Sequence, residues 1–242
     1  MVINQYTIPA KIEKGFKFVF ISDIHNADIE PIVDVIEKSD AEAVLVSGDF
    51  IHDSEYYEKG LDVLARSAAS KPTFVSLGNH ERKFKGDLVP LILKTGVTLL
   101  DDAATTFRGI HIGGLSSGYG WDEAQANTKK TPAPNLTWLS EFAGLDGYKI
   151  LLSHHPEYYA PYISSLPIDL VLSGHAHGGQ WRFFGHGIFA PGQGFFPQYT
   201  SGLYDGQYGK MLVGRGLGDS HILPPRINNK TEMIEVTLTS DN

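Results

Sequence analysis

The 242-residue chain is predicted to be an α/β protein in which the first strands form a mainly parallel sheet. Two observations predict this class. Short apolar runs alternate with segments of helical periodicity, and such alternation is typical of β-α-β units. The composition, 42% hydrophobic and 20% charged, is that of a globular protein able to bury a sizeable core.

The first elements follow one another in short, regular steps. Between the strands, residues 28–38 place Ile29, Ile32 and Ile36 on one helical face. Ser54 is available as the N-cap of the next helix. We predict strands at 5–8, 16–22, 43–47 and 73–77 and helices at 28–38, 54–69 and 88–94.

The second half of the chain continues with apolar runs and then changes character. Beyond Gln180 the chain is rich in Gly and aromatic residues, which predicts β-hairpins. We find no internal repeat and no linker, so we expect a single domain over residues 1–242. We predict strands at 98–100, 109–114, 149–153, 168–173, 210–213 and 232–238 and a helix at 136–142.

Polar side chains follow five of the predicted strands, where open α/β sheets place their ligand sites. Carboxylate, amide oxygen and imidazole are suitable ligands for two divalent first-row metals. One carboxylate must then bridge the pair, and Asp49 is the natural candidate. The alternative is turn chemistry, because Asp and Asn commonly end strands, but the histidines at matching strand ends weigh against it. The clusters are Asp23 and His25, Asp49, Asn79 and His80, His154, and His175 and His177.

The order of these motifs resembles that of the calcineurin-like metallophosphoesterase superfamily. That order is D-x-H, G-D, G-N-H-[ED], a strand-ending His and G-H-x-H, and it covers residues 16–238. The GHAHGGQ sequence at 174–180, GRGLG at 214–218 and the pair Pro225-Arg226 are similar to the YkuE/YaeI-type bacterial branch. The resemblance implies two packed mixed β-sheets flanked by helices, an αββα sandwich with the site at the strand ends.

The resemblance also implies a ligand set and a mechanism. A hydroxide bridging the metals would attack a phosphomono- or phosphodiester in line, and His80 would protonate or stabilise the leaving-group oxygen. Mn, Fe, Zn, Co and Ni all suit such ligands. By resemblance, one metal is held by Asp23, His25, Asp49 and His177, and the other by Asp49, Asn79, His154 and His175.

One position departs from the family pattern. Many members read G-D-x-x-D, and the second Asp helps to orient the histidine of G-N-H. Here His52 occupies that position and Asp53 follows one residue late, so the orientation of His80 needs another source. We interpret Glu81 as an acid behind the ligands or at a helix start. We interpret His155 as a spacer that packs on Pro156, with a role as the ligand in place of His154 as the alternative.

Three function classes remain open. The first is a dinuclear phosphoesterase acting on a small phosphoester, with a lipid-linked diester or pyrophosphate as an alternative substrate. The second is a non-catalytic interaction module on the same fold, and the third is a mononuclear metal-binding protein. The complete ligand set favours the first class over both others.

Charge and composition limit the classes of partner and ligand that we expect for this protein. The net charge of −8 argues against a nucleic-acid-binding surface, and the absence of cysteine excludes thiolate ligands. We expect a cytoplasmic protein. The alternative is a membrane-anchored full-length form from which an N-terminal segment has been removed. The aromatic residues between 181 and 199 are expected to form core and hairpin packing, with a peripheral lipid-contacting surface as the alternative. The oligomeric state stays open.

Overall fold

The computed structural model of the protein describes residues 1–120, 131–219 and 225–240. The longest described helix has 13 residues, and none of the described helices is long and apolar enough to cross a membrane. The helices are α1 (Glu30–Lys38), α2 (Glu58–Ser70), α3 (Asn79–Arg82), α4 (Val89–Lys94) and α5 (Leu136–Ala143). The strands are β1 (Val2–Ala10), β2 (Phe16–Ile21), β3 (Ala43–Val46), β4 (Thr73–Val75), β5 (Thr98–Leu99), β6 (Ala103–Phe107), β7 (Ile110–Leu115), β8 (Lys149–Ser153), β9 (Leu170–Ser173), β10 (Arg182–Phe183), β11 (His186–Gly187), β12 (Phe189–Ala190), β13 (Gly194–Phe195), β14 (Gly202–Asp205), β15 (Lys210–Val213) and β16 (Glu232–Ser240).

The first sheet has six strands in the order β1-β16-β2-β3-β4-β5. Only the β16–β2 pair is antiparallel. The prediction of a mainly parallel sheet from the first strands is therefore confirmed, and β1 lies at its edge. The C-terminal strand β16 enters between β1 and β2, so the two ends of the chain share one sheet.

The second sheet also has six strands, in the order β14-β15-β9-β8-β7-β6. Its four central strands are parallel and its two edge strands are antiparallel to their neighbours. The edge strand β6 was not predicted, and β14 lies within the hairpins that were predicted beyond Gln180 without bounds of its own. Both alternate between partly buried and exposed residues, and β6 contains two threonines, so neither forms the continuous apolar run that marks a central strand.

The core lies in three layers. Phe18, Leu45, Ile150 and Leu170 belong to the buried cluster between the two sheets. A second cluster joins α1, α2 and α4 to the outer face of the first sheet. A third joins α5 to the outer face of the second sheet. The predicted αββα sandwich is therefore confirmed.

The start of α2 differs from the prediction. The helix begins at Glu58, and Ser54 is not its N-cap. The Asp53 carboxylate instead accepts hydrogen bonds from the backbone N–H groups of Glu55 and Tyr56, at 2.8 and 2.9 Å. The Ser54 hydroxyl accepts one from the N–H of Lys85 at 2.7 Å. These side-chain bonds form a turn that competes with helix before residue 58.

The carboxyl ends of the central strands in both sheets meet at one edge of the sandwich. His154 follows β8 of the second sheet, and its Nδ1 lies 2.8 Å from the Ser47 carbonyl oxygen beyond β3 of the first. The backbone N–H of His175, beyond β9, donates to both oxygens of Asp23, beyond β2, at 3.0 and 3.1 Å. Bonds between the two sheets therefore form the floor of the site.

Candidate metal centre

The structure brings six of the seven predicted ligand residues into two groups. Within each group one nitrogen or oxygen atom per residue lies within 4.8 Å of the others, and all six residues are buried. The resemblance assigns the members of each group to the same metal. The first contains Asp23, His25 and His177, and the second contains Asp49, His154 and His175.

The seventh predicted ligand, Asn79, lies at the start of α3, next to His80. The N–H of His80 donates to Asp49 Oδ1 at 2.9 Å, which holds the turn against the second group. Asn79 is buried, and its side-chain oxygen has no hydrogen-bond partner among the described residues. A buried amide oxygen without a partner is costly, and coordination of a cation would satisfy it.

Most of the predicted ligands have an unusual backbone conformation. Positive φ angles of 46–63° occur at five of the seven, a conformation that non-glycine residues rarely adopt. Each costs on the order of 1 kcal/mol, somewhat less for Asp than for bulkier residues. Ordinary strand-end turns do not require this strain at five positions. The five are Asp23, His25, Asp49, His175 and His177.

Short contacts connect the two groups around His154. Its Nε2 atom lies 3.0 Å from Asp49 Oδ2 and 3.2 Å from His175 Nδ1. The same atom lies 3.9 Å from Asp23 Oδ1 in the first group. His177 Nε2 lies 3.5 Å from that Asp23 oxygen. The five side chains therefore present their ligand atoms to a common volume.

The electrostatics of the site set the protonation of the histidines. Burial lowers the pKa of His25 and His175 well below the usual range, and that of His177 to about 4. These imidazoles are neutral near pH 7, the form that binds metals. Burial would also lower the pKa of His154, but the adjacent Asp49 carboxylate raises it to about 10. Burial would raise the pKa of Asp49, but His154 holds it well below its usual range.

The residues fit divalent metal ions. The donor set comprises carboxylates, an amide oxygen and imidazoles, which suits first-row metals. Two glycines allow backbone to approach the carboxylates closely. A Cβ at Gly174 would lie 2.4 Å from Asp23 Oδ2, and one at Gly78 would lie 2.2 Å from Asp49 Oδ1. These glycines belong to the G-H-x-H and G-N-H motifs.

Glu81 joins two of the ligand-bearing turns. Its buried carboxylate accepts backbone N–H bonds from Gly78 at 2.8 Å, Asp49 at 2.9 Å and Ile51 at 3.1 Å. Burial, followed by the charge of Asp49, raises the pKa of Glu81 to about 7. Glu81 therefore lies behind the backbone of Asp49 and also within the short helix α3, in line with the interpretation made from the sequence.

A backbone oxygen orients His80 in place of the missing carboxylate. The Nδ1 atom of His80 is in close hydrogen-bonding contact with the carbonyl oxygen of His52, and its Nε2 lies 3.9 Å from Asp49 Oδ2. The His52 side chain lies 3.7 Å from the Asp53 carboxylate and beside the ring of His25. The source of orientation that the sequence left open is therefore the main chain.

Sequence reasoning missed Glu157, which lies behind His175. Its Oε1 accepts a hydrogen bond from the Thr131 hydroxyl at 2.5 Å and lies 3.9 Å from His175 Nε2. The same oxygen lies 3.4 Å from His155 Nδ1. Burial would raise the pKa of Glu157, but the adjacent histidines, His175 first, lower it to about 2. A carboxylate behind a ligand histidine fixes the ring and raises its basicity.

His155 is therefore more than a spacer. Its Nε2 atom lies 2.8 Å from the Ser117 hydroxyl, and its ring lies between those of His175 and Tyr158, with centroids 4.4 and 5.0 Å away. These polar and ring contacts place His155 beside the predicted ligand His175.

A C-terminal segment holds His177. The buried Asn229 amide donates to the carbonyl oxygens of His177, at 2.7 Å, and Gln180, at 3.1 Å. Arg226 places a guanidinium nitrogen 3.2 Å from His177 Nδ1 and donates to the carbonyl oxygen of Arg215 at 2.7 Å. The Pro225-Arg226 motif was visible in the sequence, but nothing local connected it to His177.

Comparisons with known proteins agree with this geometry. The family described as calcineurin-like phosphoesterase matches residues 16–179. The metallophosphoesterase YkuE of Bacillus subtilis is 29% identical over 241 residues, covering 94% of this chain and 80% of the relative. The phosphodiesterase YaeI of Escherichia coli is 28% identical over 246 residues, covering 92% of this chain and 82% of the relative.

A solved structure shows the same fold at lower sequence similarity. The sulfate thiohydrolase SoxB of Thermus thermophilus aligns with a TM-score of 0.55 and 13% identity, covering 88% of this chain and 53% of that one. The matched family segment contains every predicted ligand. The chain therefore belongs to the calcineurin-like phosphoesterase family and is a metal-dependent phosphoric ester hydrolase.

Proposed function

We propose that this chain hydrolyses phosphomono- or phosphodiester bonds with two divalent metal ions. The observation that carries the proposal is the pair of buried ligand groups connected through His154 and Asp49. One ion would be held by Asp23, His25, Asp49 and His177, and the other by Asp49, Asn79, His154 and His175.

Asp49 is the proposed shared ligand. Its carboxylate is buried, is 3.0 Å from His154 Nε2, and belongs to the loop that Glu81 ties to Gly78. Its charge also acts on His25 and His177 of the first group. When bound, the two metals would polarise the phosphoryl oxygens and activate water near neutral pH.

His80 is the proposed proton donor to the leaving group. Its Nδ1 faces the His52 carbonyl oxygen, so its Nε2 faces the ligand groups. The side chain is 25% exposed, whereas that of Asp49 is 2% exposed. His80 therefore lies at the rim, where a departing alkoxide would need a proton.

The substrate and metals are proposed at the level that the residues support. The relative YaeI is named a phosphodiesterase, which favours a phosphodiester over a phosphomonoester. Carboxylate, amide and imidazole ligands suit Mn, Fe, Zn, Co and Ni, with identity set partly by availability.

The test is metal content together with turnover. Protein reconstituted with Mn²⁺ should bind two equivalents and hydrolyse bis(p-nitrophenyl) phosphate faster than p-nitrophenyl phosphate. Asp49→Asn should lose more metal than any single histidine variant, because a bridging ligand serves both ions. Asp34→Asn, on the exposed side of α1, is the matched control and should retain both. A wild-type stoichiometry of one would contradict the dinuclear proposal, and wild-type metal content in Asp49→Asn would contradict the bridging assignment.

A further inference from the structure

Two hairpins directly after the G-H-x-H turn expose four phenylalanines. Their relative exposures are 47% for Phe183, 101% for Phe184, 68% for Phe195 and 80% for Phe196. Core and hairpin packing, the role expected from the sequence, is correct for the buried Tyr199. Phe195 also packs edge-on against Phe189, with ring centroids 5.3 Å apart, although it stays largely exposed. Phe183, Phe184 and Phe196 have no such ring contact among the described residues, so their exposure needs another explanation.

The two most exposed phenylalanines also have unusual backbone conformations. Phe184 has φ 52° and is followed by Gly185 with φ 85°, in a two-residue turn between β10 and β11. Such turns with two positive φ angles strongly prefer Asn and Gly. Phe196 has φ 54°. A bulky aromatic residue at either position strains the chain and buries almost none of its own surface, so folding does not explain it.

Both hairpins are fixed to the metal centre. Arg182 donates to the Gly178 carbonyl oxygen at 2.7 Å, and the N–H of Ile188 donates to that of Gly179 at 3.0 Å. Gly192, in the β12–β13 turn, lies so close to Glu157 that a Cβ would be 2.0 Å from its Oε1. The exposed phenylalanines therefore have a defined position relative to the ligand groups.

The charges around the hairpins indicate the partner. Residues 170–204 and 225–231 contain no Asp or Glu, although the chain has 28 acidic residues and a net charge of −8. The second segment pairs with the first through Trp181 and Ile227 and contributes the exposed Lys230. The Arg226 guanidinium is buried and forms an ion pair with Asp219 at 3.1 Å, so it adds no net charge to this face. An aromatic surface that carries Arg182 and Lys230 and no acidic residue in these two segments complements anionic lipid headgroups. A second copy of this face would instead oppose like charges in a symmetric dimer.

We propose that the two hairpins, residues 181–196, contact the surface of an anionic bilayer, with Phe184 and Phe196 inserted among the headgroups. Projecting aromatic tips with basic neighbours suit an interface that is apolar below and charged above. The membrane contact itself does not depend on the proposed function. Its consequence, that phosphoesters of lipids would lie beside the metal centre, does rest on the proposed function.

The experiment is co-sedimentation of the full chain with vesicles of phosphatidylcholine alone and of phosphatidylcholine mixed with phosphatidylglycerol. Wild-type protein should partition more strongly to the anionic vesicles, and added salt should weaken binding. Each inserted phenylalanine contributes about tenfold to the partition coefficient. Phe184→Asn/Phe196→Asn should therefore lose on the order of a hundredfold, whereas Leu93→Asn, which alters a 55% exposed leucine on α4, should bind like wild type.

A second readout separates this role from a structural one. Asn tolerates positive φ better than Phe, so the double variant should unfold at the same temperature as wild type or higher while losing vesicle binding. The two single variants repeat the test if the double variant does not fold. Equal binding of wild type and variants, or no wild-type binding to anionic vesicles, would overturn the proposal. Concentration-dependent dimerisation that the double variant abolishes, without vesicle binding, would overturn it in favour of a protein contact. The assay involves no ester turnover, so failure of the proposed function would leave its result intact.

Discussion

Replacing Glu157 with Gln should lower the affinity for one of the two proposed metal ions and leave the affinity for the other unchanged. Glu157 Oε1 is 3.9 Å from His175 Nε2 and accepts the Thr131 hydroxyl bond at 2.5 Å. Gln keeps the size and an accepting oxygen, so the Thr131 bond can persist. It removes the negative charge that favours a fixed, electron-rich His175 ring. No described contact connects Glu157 directly to Asp23, His25 or His177 of the first group.

The size of the effect follows from the distance. Removing a partner behind a ligand histidine typically costs 10–100-fold in metal affinity, or roughly 1.4–2.7 kcal/mol. The upper part of that range requires a direct bond. At 3.9 Å the contact is longer than a hydrogen bond, so we expect a loss of about tenfold in affinity.

Calorimetric titration of metal-free protein with Mn²⁺ resolves the two equivalents. In Glu157→Gln one dissociation constant should rise about tenfold and the other should stay at its wild-type value. Glu141→Gln is the matched control, because that acid is exposed on α5. Equal weakening of both equivalents would show that Glu157 acts through overall charge or stability. Two unchanged constants would show that it does not support His175.

Three other predictions concern different parts of the molecule. Asn229→Ala removes the 2.7 Å bond to the His177 carbonyl oxygen. In the same titration it should lower the affinity for the metal held by the group of His177 and leave the metal held by the group of His175 unchanged. Weaker binding of the metal that Glu157→Gln affects would contradict the assignment of Asn229 to the His177 group. His80→Ala should keep both metals and lose about 10²–10⁴-fold on an alkyl ester but less on an activated aryl ester; equal losses would mean that His80 positions the phosphoryl group and does not supply the proton. Burial, followed by Tyr199 and Asp205, raises the pKa of Tyr159 from 10.0 to about 12, so the contribution of Tyr159 to the free energy of unfolding in urea should be constant below pH 10 and fall as the pH rises to 12. Tyr159→Phe should flatten that fall, and an unchanged slope would show that another group causes it.

The sequence made much of the fold and the two ligand groups predictable because the relevant signals are local. An apolar run followed by Gly and a polar residue marks a buried strand and its carboxyl end, and parallel strands bring those ends together. Asp49 and His175 could be placed in this way without knowing the order of strands in either sheet. The alternating, half-exposed strand β6 and the competing turn at Asp53 carried no comparable signal.

The residues behind the ligands could not be placed in the same way. Glu157 precedes His175 by 18 residues and Asn229 follows His177 by 52, and each meets its partner only through tertiary packing. The exposure of the aromatic hairpins could not be predicted for a different reason. Their strands are two residues long, too short for periodicity to distinguish a buried face from an exposed one.

Each ligand group contains side chains from both sheets, so the free energy of folding should depend on the concentration of available metal. Asp23 and His25 follow a strand of the first sheet, whereas His177 follows a strand of the second; Asp49 and His154 divide in the same way. An ion that binds only when the sheets are docked stabilises the docked state by mass action, by about 4.1 kcal/mol per site at a thousandfold excess over its dissociation constant. In metal-poor surroundings, thermodynamic linkage would then lower the population of folded chains, and proteolytic turnover would rise together with the loss of activity.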